Sequence, residues 1–187
     1  MKKNVYNPVS VYRLQFHKDF NFKDAENLVP YLNSLGIKTV YASPIFQAVK
    51  GSMHGYDVAD PLSLNSEVGN MKSFERLIKE LHDRNMGWLQ DFVPNHMAYS
   101  TENPWIFDLL QTGKQSKFYS FFDIISNHPD KALRDKIMLP FFGEAIDKVI
   151  QDGELVLKFD EKGFILNYFD NQYPVSYRAY PGLAKLA

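Results

Sequence analysis

The strongest constraint on the fold is a regular alternation of short apolar strands with amphipathic helices in the first half of the sequence. Strand-like runs occupy Val11–Phe16, Ile37–Ala42 and Gly87–Val93, and a stretch with helical periodicity separates each from the next. With helices of this length, the alternation indicates right-handed βαβ units and therefore a parallel sheet. We predict an α/β fold whose ligand-binding loops follow the strands.

Local signals predict where both helices begin and end. Asn21 suits the N-cap of the first helix, with Asp24 as a partial capping box, and Gly36 suits the left-handed position after its last turn. The second helix is predicted from Met71 to Asn85. The apolar residues that share one side or one helical face are Tyr12, Leu14 and Phe16 on the first strand, Phe22, Ala25, Leu28, Val29, Leu32 and Leu35 on the first helix, and Phe74, Leu77, Ile78 and Leu81 on the second.

The second half of the chain has a different pattern. Glu154–Phe159 and Phe164–Phe169 alternate apolar and polar residues around a four-residue turn at 160–163, which predicts a β-hairpin. Short helical patches are predicted around Pro104–Gln111 and Phe142–Gln151. Because the periodicity changes near residue 100, we expect one domain over 1–98 and an inserted subdomain over 99–187.

Composition excludes several classes of protein. The net charge of −1 provides no attraction to nucleic acid, and no apolar run approaches the ~20 residues of a membrane span. The absence of cysteine excludes disulfides, thiolate metal sites and cysteine nucleophiles, and it fits a reducing compartment. Met1–Pro8 lacks the apolar segment of a signal peptide, so we expect a cytoplasmic protein without nucleic-acid or membrane partners.

Polar side chains gather where the three predicted strands end. Since the carboxyl ends of parallel strands share one edge of a sheet, we expect these side chains to border one pocket. Imidazole, carboxylate and aromatic groups together suit a neutral, polyhydroxylated ligand, whose hydroxyls need donors and acceptors and whose C–H faces pack on aromatic rings. The candidates are Arg13 and Gln15 at the end of the first strand, His54, Tyr56 and Asp57 after the second, and Asp91, Asn95 and His96 after the third.

Simpler interpretations of these residues stay open. A histidine or aspartate at the end of a strand often caps a turn, and Asp57 could be a turn former before Asp60. Asn95 and His96 could be a metal pair, but two ligands are too few to define a site. The sequence contains no phosphate-binding loop and no Ser-His-Asp arrangement. From residues alone, the prediction is an α/β domain with a ligand site after the second and third strands.

The run Asp91–His96, together with His54–Asp57, resembles the first signature region of the α-amylase superfamily, glycoside hydrolase family 13. Further motifs are similar to the maltooligosyl trehalose synthase family within it, and they cover essentially the whole chain in order. The matching segments are Val11–His17, Tyr41–Ile45, Gly51–Asp57, Asp91–His96, Asn103–Trp105, Phe121–Ile124, Lys136–Pro140 and Gly153–Leu155.

This resemblance implies a fold and a reaction. The fold would be an incomplete (β/α)8 TIM barrel, comprising the first three βα units, followed by a mixed α+β inserted subdomain that is similar to domain B of the superfamily. The family isomerises the reducing-end α-1,4 bond of a maltooligosaccharide into an α,α-1,1 bond, which leaves a trehalose end. The chemistry is of the retaining type, in which one carboxylate attacks the anomeric carbon and a second carboxyl group protonates the leaving oxygen.

The resemblance also implies roles for individual residues. Tyr56 would stack on the sugar in the −1 subsite, Asp57 and His96 would bind its hydroxyls, and Asp91 would orient other site residues, notably an arginine from strand four. Asn95 would hold its loop to the inserted domain; calcium-dependent amylases have a calcium ligand at this position, but the resemblance implies neither a metal nor another cofactor here. Substrate contacts are expected from Tyr56, Asp57, His96, Asp91, His54 and Gln15, and support from Asn95 and Arg13.

The catalytic carboxylates of the superfamily have no counterpart in this sequence. They follow barrel strands four, five and seven, whereas only three barrel-type strands precede the inserted segment here. No aspartate follows the arginine of Tyr177–Tyr180 as the second signature region requires, and Ile125 and Ser126 stand where the family commonly has Asp-Trp. We therefore expect an N-terminal segment with the nucleophile and acid beyond Ala187, inactive when isolated.

Three strands cannot close an eight-stranded barrel, so strands one and three would have unpaired edges that favour self-association. The expected ligand is a maltooligosaccharide or α-glucan. Two alternatives stay open, namely a fragment of an α-amylase-type hydrolase and a non-catalytic remnant that binds carbohydrate or a partner protein.

Overall fold

The described part of the chain forms two compact units, which divide between Asn103 and Pro104. The structure, a computed structural model, describes residues 7–134 and 136–185. The signal-peptide prediction for Met1–Pro8 therefore lies, up to Tyr6, outside the described residues. None of the helices described combines the length and the apolar character needed to cross a membrane.

The first unit contains the predicted parallel sheet. Its strands occur in the order β1-β2-β5, and both pairs are parallel, which confirms the α/β prediction. Arg13 on β1 pairs with Tyr41 on β2, and Tyr41 pairs with Leu89 on β5. The elements are β1 (Val11–Leu14), α1 (Phe22–Ser34), β2 (Thr39–Ala42), β3 (Phe46–Ala48), β4 (Val58–Leu64), α2 (Met71–His82) and β5 (Gly87–Gln90).

Both helices begin at the capping signals that their sequences carry. The Asn21 side chain accepts hydrogen bonds from the backbone of Lys23 and Asp24, and the Asp24 carboxylate accepts one from the Asn21 backbone at 2.9 Å. This is the predicted capping box in complete form. Gly36 follows α1 at a φ of +80°, as predicted for the left-handed position.

The helices cover one face of the parallel sheet. Val40 and Ala42 of β2 point to this face and are fully buried, and residues of α1 and α2 join them in a single core. The predicted third strand is too long, since β5 ends at Gln90, before Val93. Tyr12 is 45% exposed on β1, which pairs with one strand within the described residues, and Leu35 is 53% exposed because it lies beyond the last turn of α1.

The segment after β2 is not entirely a loop, as the sequence suggested. Residues 46–48 form β3, which pairs antiparallel with β4, and the register shifts on both sides of Gln47. Because these irregularities remove the two-residue alternation that marks a strand, sequence periodicity does not reveal the pair.

The second unit contains an antiparallel sheet in the order β6-β7-β8. Asp160 pairs with Gly163, so the confirmed hairpin turns at the predicted residues 160–163, with Glu161 and Lys162 as its two-residue loop. The fourth helix begins at Ile146 rather than Phe142. The elements are α3 (Pro104–Thr112), α4 (Ile146–Gln151), β6 (Leu155–Asp160), β7 (Gly163–Tyr168), β8 (Asn171–Pro174), α5 (Tyr180–Leu183) and 3₁₀ turns at Gly113–Gln115, Tyr119–Phe121, Lys131–Leu133 and Tyr177–Ala179.

Candidate functional site

The carboxylate of the residue that follows β5 accepts hydrogen bonds from two tyrosine hydroxyls. Asp91 continues the ladder by donating its backbone N–H to the Ala42 carbonyl at 2.9 Å. Its Oδ2 accepts hydrogen bonds from Tyr56 Oη at 2.6 Å and from Tyr41 Oη at 3.0 Å. We call Arg13, Tyr41, Tyr56 and Asp91 the polar cluster. The pairing of strands thus brings together residues that are up to 78 positions apart (91 − 13 = 78).

The second oxygen of Asp91 is free to accept a further donor. No described residue donates a hydrogen bond to Oδ1, and Asp91 is half-buried. Among the described residues, the buried side-chain atom without a partner is Asn167 Oδ1, so Asp91 Oδ1 is not sealed from solvent. The carboxylate can therefore receive a ligand hydroxyl on one oxygen while the other remains bound to the protein.

Arg13 connects the two tyrosines of the polar cluster. Its guanidinium lies over the Tyr41 ring, with Cζ 5.6 Å from the ring centroid, and its Nη2 donates to Tyr56 Oη at 3.3 Å. Above all, the hydrogen bond to Tyr56 raises the pKa of Arg13, against a smaller lowering by desolvation. Arg13 thus links the two tyrosines, and its predicted role in supporting the site stays a prediction.

The hydrogen bond to the Asp91 carboxylate is the main cause of a raised pKa at Tyr41. The neutral phenol donates to a negative acceptor, and ionisation of the phenol would place two negative charges side by side. Tyr41 therefore keeps its proton, and remains a donor to Asp91, throughout the neutral range.

The loop before Tyr56 depends on a glycine. Gly55 has a φ of +73°, and a Cβ at this position would lie 2.8 Å from the Pro44 carbonyl oxygen. This turn brings the His54 ring next to Tyr56, with centroids 6.1 Å apart and an interplanar angle of 27°. The Tyr56 backbone N–H donates to His54 Nδ1 at 3.1 Å, so the arrangement requires an unprotonated Nδ1 and leaves Nε2 as the donor.

Asp57 closes the same loop. Its Oδ1 accepts a hydrogen bond from the Ser52 hydroxyl, and Ser52 Oγ accepts one from the Gly55 backbone at 3.1 Å. His54 Nδ1 lies 3.7 Å from Asp57 Oδ1, but it already accepts the Tyr56 N–H, so the contact is not an ion pair in this tautomer. Asp57 is thus hydrogen-bonded within its own loop and retains a second carboxylate oxygen, and its predicted contact with a ligand stays a prediction.

Gln15 holds the loop from the side of β1. Its Nε2 donates to the carbonyls of His54 at 3.1 Å and Met53 at 3.4 Å. These bonds engage the amide nitrogen with backbone, so the geometry makes Gln15 a support of the His54–Asp57 loop. The predicted contact of Gln15 with a ligand stays a prediction.

Within the described residues, Asn95 and His96 make no side-chain hydrogen bond to the polar cluster. His96 is exposed, and its recorded hydrogen-bond contact within the described part of the chain is with Asn95, between Nδ1 and Oδ1 at 3.3 Å. Their proposed roles in holding a sugar and a loop stay predictions. Within residues 7–134 and 136–185, no group of three or more His, Asp or Glu side chains could hold a metal ion.

Tyr41 is the member of the polar cluster that sequence reasoning did not identify as a site residue. It belongs to the matching segment Tyr41–Ile45, and it occupies the face of β2 opposite Val40 and Ala42. A polar aromatic residue on the face that the helices do not cover was an available signal, but its hydrogen bond to Asp91 spans fifty positions.

Comparisons with known proteins agree on one family. Residues 25–174 match the family model of the alpha amylase catalytic domain. A putative maltooligosyl trehalose synthase of Mycobacterium tuberculosis is 39% identical over 158 residues, which cover 79% of this chain and 20% of the relative. The chain therefore spans about a fifth of the length of this curated relative.

Two solved structures match most of the chain. A glycosyltrehalose synthase superposes with a TM-score of 0.84 at 37% identity, covering 95% of this chain and 23% of that one. A maltooligosyl trehalose synthase gives a TM-score of 0.82 at 40% identity, covering 94% of this chain and 24% of that one. In both, the similarity extends through the two units of this chain.

Proposed function

Because the chain belongs to the alpha-amylase family, we propose that it forms part of the glucan-binding site of an enzyme that isomerises the reducing end of maltooligosaccharides. The product would carry an α,α-1,1 bond, as at a trehalose end, in place of an α-1,4 bond. The observation that carries this proposal is the polar cluster with the adjacent His54 ring, at the carboxyl ends of parallel strands. The synthases to which the chain is similar support this reaction over others of the family.

We infer that β1, β2 and β5 are the first three strands of a (β/α)8 barrel and that the second unit is the inserted, domain B-like subdomain. The spatial order of the strands follows their order in the chain, and α1 and α2 contribute to one core. On the face away from that core, Val11 and Leu89 are about half exposed, at 45% and 49%. Further strands beside β1 and β5 would bury this face in a barrel interior.

The described geometry suits a neutral sugar ring. The Tyr56 hydroxyl donates to Asp91 and accepts from Arg13. We therefore expect Tyr56 to contact a ligand through the face of its ring. Asp91 Oδ1, the second oxygen of Asp57 and His54 Nε2 can exchange hydrogen bonds with sugar hydroxyls. His96 would contribute from its own loop, as the family resemblance implies.

The proposed reaction is a retaining double displacement without net hydrolysis. A carboxylate forms an ester bond with the anomeric carbon as the α-1,4 bond breaks, and a carboxylic acid protonates the departing O4 of glucose. The released glucose turns and attacks the esterified anomeric carbon through its own anomeric hydroxyl. The ester bond breaks and frees the first carboxylate, and the hydroxyl proton returns to the deprotonated acid. Water is neither consumed nor produced in this reaction, so the site must exclude water to prevent hydrolysis of the ester. The proposal assigns neither carboxylate to residues 1–187, and the isolated chain is therefore expected to be inactive.

Calorimetry with maltotriose tests the binding half of this proposal. The 187-residue chain should release heat at millimolar sugar. Tyr56→Ala should weaken binding about tenfold, because loss of an aromatic contact costs on the order of 1 kcal/mol. Tyr12→Ala is the control, since Tyr12 is an exposed aromatic residue of the same sheet outside the polar cluster. Absence of heat from the parent chain would contradict the proposal.

Incubation with maltopentaose tests the catalytic half. Neither trehalose-ended product nor new reducing sugar should appear with the isolated chain. A trehalose-ended product would disprove the assignment of the catalytic carboxylates to other residues. New reducing sugar would favour the α-amylase-type hydrolase instead.

A further inference from the structure

We propose that Tyr41 is a positioning residue that transmits the rigidity of the parallel sheet to the sugar-stacking ring of Tyr56 through Asp91. This inference rests on the proposed function, because it assigns a role within the same glucan-binding site. It concerns a residue to which neither the family resemblance nor the comparisons give a role.

Tyr41 is held more firmly than the other donor to Asp91. It lies on β2, the central strand, with hydrogen-bonded strands on both sides: Arg13 is its register partner on β1 and Leu89 its partner on β5. Tyr56, in contrast, lies on the loop that follows Gly55 and precedes β4. Side chains on central strands keep their positions better than side chains on loops, so we expect Tyr41 to be the less mobile of the two tyrosines that donate to Asp91.

The two phenols meet at a single oxygen of Asp91. Tyr41 Oη lies 3.0 Å and Tyr56 Oη 2.6 Å from Oδ2. Both donors bind Oδ2, so Oδ1 keeps its capacity to accept a hydrogen bond from a ligand. The Tyr41 hydroxyl thereby orients Oδ1 toward a ligand and limits where the Tyr56 ring can lie.

The Tyr41 ring contributes separately from its hydroxyl. Arg13 lies over this ring and also donates to Tyr56 Oη, so a second connection joins the two tyrosines. Tyr41→Phe would keep the ring under the Arg13 guanidinium while removing the hydroxyl, which donates to Asp91 and also interacts with Arg13. This substitution therefore isolates the hydroxyl, which is the part of Tyr41 that the inference concerns.

The first measurement is the environment of the Tyr56 ring in the 187-residue chain labelled with ring-¹³C tyrosine. Tyr56→Phe identifies the Tyr56 signal. Tyr41→Phe should shift or broaden that signal, because Asp91 is free to rotate once one donor is lost. Tyr12→Phe is the matched control, since Tyr12 lies on the adjacent strand and its hydroxyl makes no hydrogen bond within the described residues. This substitution should leave the Tyr56 signal unchanged.

The second measurement is maltotriose affinity. Tyr41→Phe should weaken binding about threefold to tenfold, within the usual net contribution of one intramolecular hydrogen bond, while Tyr12→Phe should stay within about twofold. In an Asp91→Ala background, Tyr41→Phe should have no further effect, because the hydroxyl then has nothing to orient. Circular dichroism establishes that each variant is folded.

The outcomes separate the inference from the proposed function. If the parent chain binds no maltotriose, the proposed function fails, while the Tyr56 signal still decides the role of Tyr41. An unchanged Tyr56 signal in Tyr41→Phe overturns the inference. So does a Tyr41→Phe variant that loses thermal stability without altering the Tyr56 ring, since Tyr41 would then be only a structural residue.

Discussion

The two units differ in how they bury their apolar side chains. In the first, thirteen buried residues form one core between the sheet and the helices α1 and α2. In the second, the core cluster contains three buried residues, and β6 exposes Val156, Leu157 and Phe159. In the first unit, the stabilising apolar core thus lies on one face of the sheet and the polar cluster on the other.

This difference separates stability from recognition in the first unit. Residues of the polar cluster can change without opening the core, because the backbone of the sheet lies between them. The second unit has no such division, since its sheet carries apolar side chains that remain exposed. Substitutions in the two units should therefore differ in their effects on unfolding free energy, ligand binding and self-association.

Phe22→Ala should have the largest effect, a loss of about 3–5 kcal/mol of unfolding free energy. Phe22 is fully buried, with its ring 5.5 Å from Phe16 and 5.3 Å from Phe74. Phe159→Ala in the second unit should cost only about 1 kcal/mol, because Phe159 is 68% exposed and loses chiefly an aromatic contact. Urea denaturation measures both values.

The two tryptophans allow each unit to be followed separately. Trp88 lies in the first unit and Trp105 in the second, so a Trp105→Phe background reports the first unit by fluorescence, and Trp88→Phe the second. Equal losses for Phe22→Ala and Phe159→Ala would contradict the contrast between the two cores.

Gly55→Ala should cost about 1–3 kcal/mol and weaken maltotriose binding. The new Cβ would combine a strained positive φ with a 2.8 Å contact to the Pro44 carbonyl, and the loop that carries Tyr56 would have to move. Gly51→Ala is the matched control, because Gly51 has a φ of +80° with nothing within 4 Å of the added Cβ. Thermal unfolding and calorimetry should show the larger loss for Gly55→Ala; similar losses would mean that the contact with Pro44 is unimportant.

Leu89→Lys should reduce self-association of the chain by about tenfold in dissociation constant, equivalent to about 1.4 kcal/mol. Leu89 is half exposed on β5, and within the described residues β5 pairs on one side only. Phe159→Lys changes the corresponding edge strand β6 of the second unit and serves as the comparison. Sedimentation velocity distinguishes them: if only Phe159→Lys disperses the oligomer, association occurs through the second unit and not through the open parallel sheet.

Asp91→Asn should lower the pKa of Tyr41, a small effect that leaves the fold intact. The carboxylate raises this pKa through the hydrogen bond and through charge, so its neutralisation returns Tyr41 toward an ordinary tyrosine. A raised folded-state pKa means that the Tyr41–Asp91 bond stabilises the fold below the ordinary tyrosine pKa of about 10 and loses this contribution as pH rises through the raised value. Absorbance of phenolate, compared between parent and Asp91→Asn, measures the shift; a Tyr41→Phe variant identifies the signal.

Periodicity and capping chemistry predicted the parallel sheet well. The apolar faces of α1 and α2 and the signals at Asn21 and Gly36 are local, so they can be recognised within a few residues. β3 was missed because its pairing with β4 shifts register twice, and β8 because Pro174 and Asn171 are atypical strand residues. Both errors concern strands that form because a neighbouring strand pairs with them, and not because their own composition favours a strand.

The sequence by itself determined which loops would carry polar groups, since Arg13, Tyr56 and Asp91 each follow or end a strand that its own pattern predicts. Only the tertiary structure decided that Tyr41 joins them and that both phenols share one oxygen of Asp91. The physical reason is the range of the forces involved. Helix caps and strand alternation act between near neighbours, whereas a hydrogen bond across fifty residues forms only after the sheet has aligned β2 with β5.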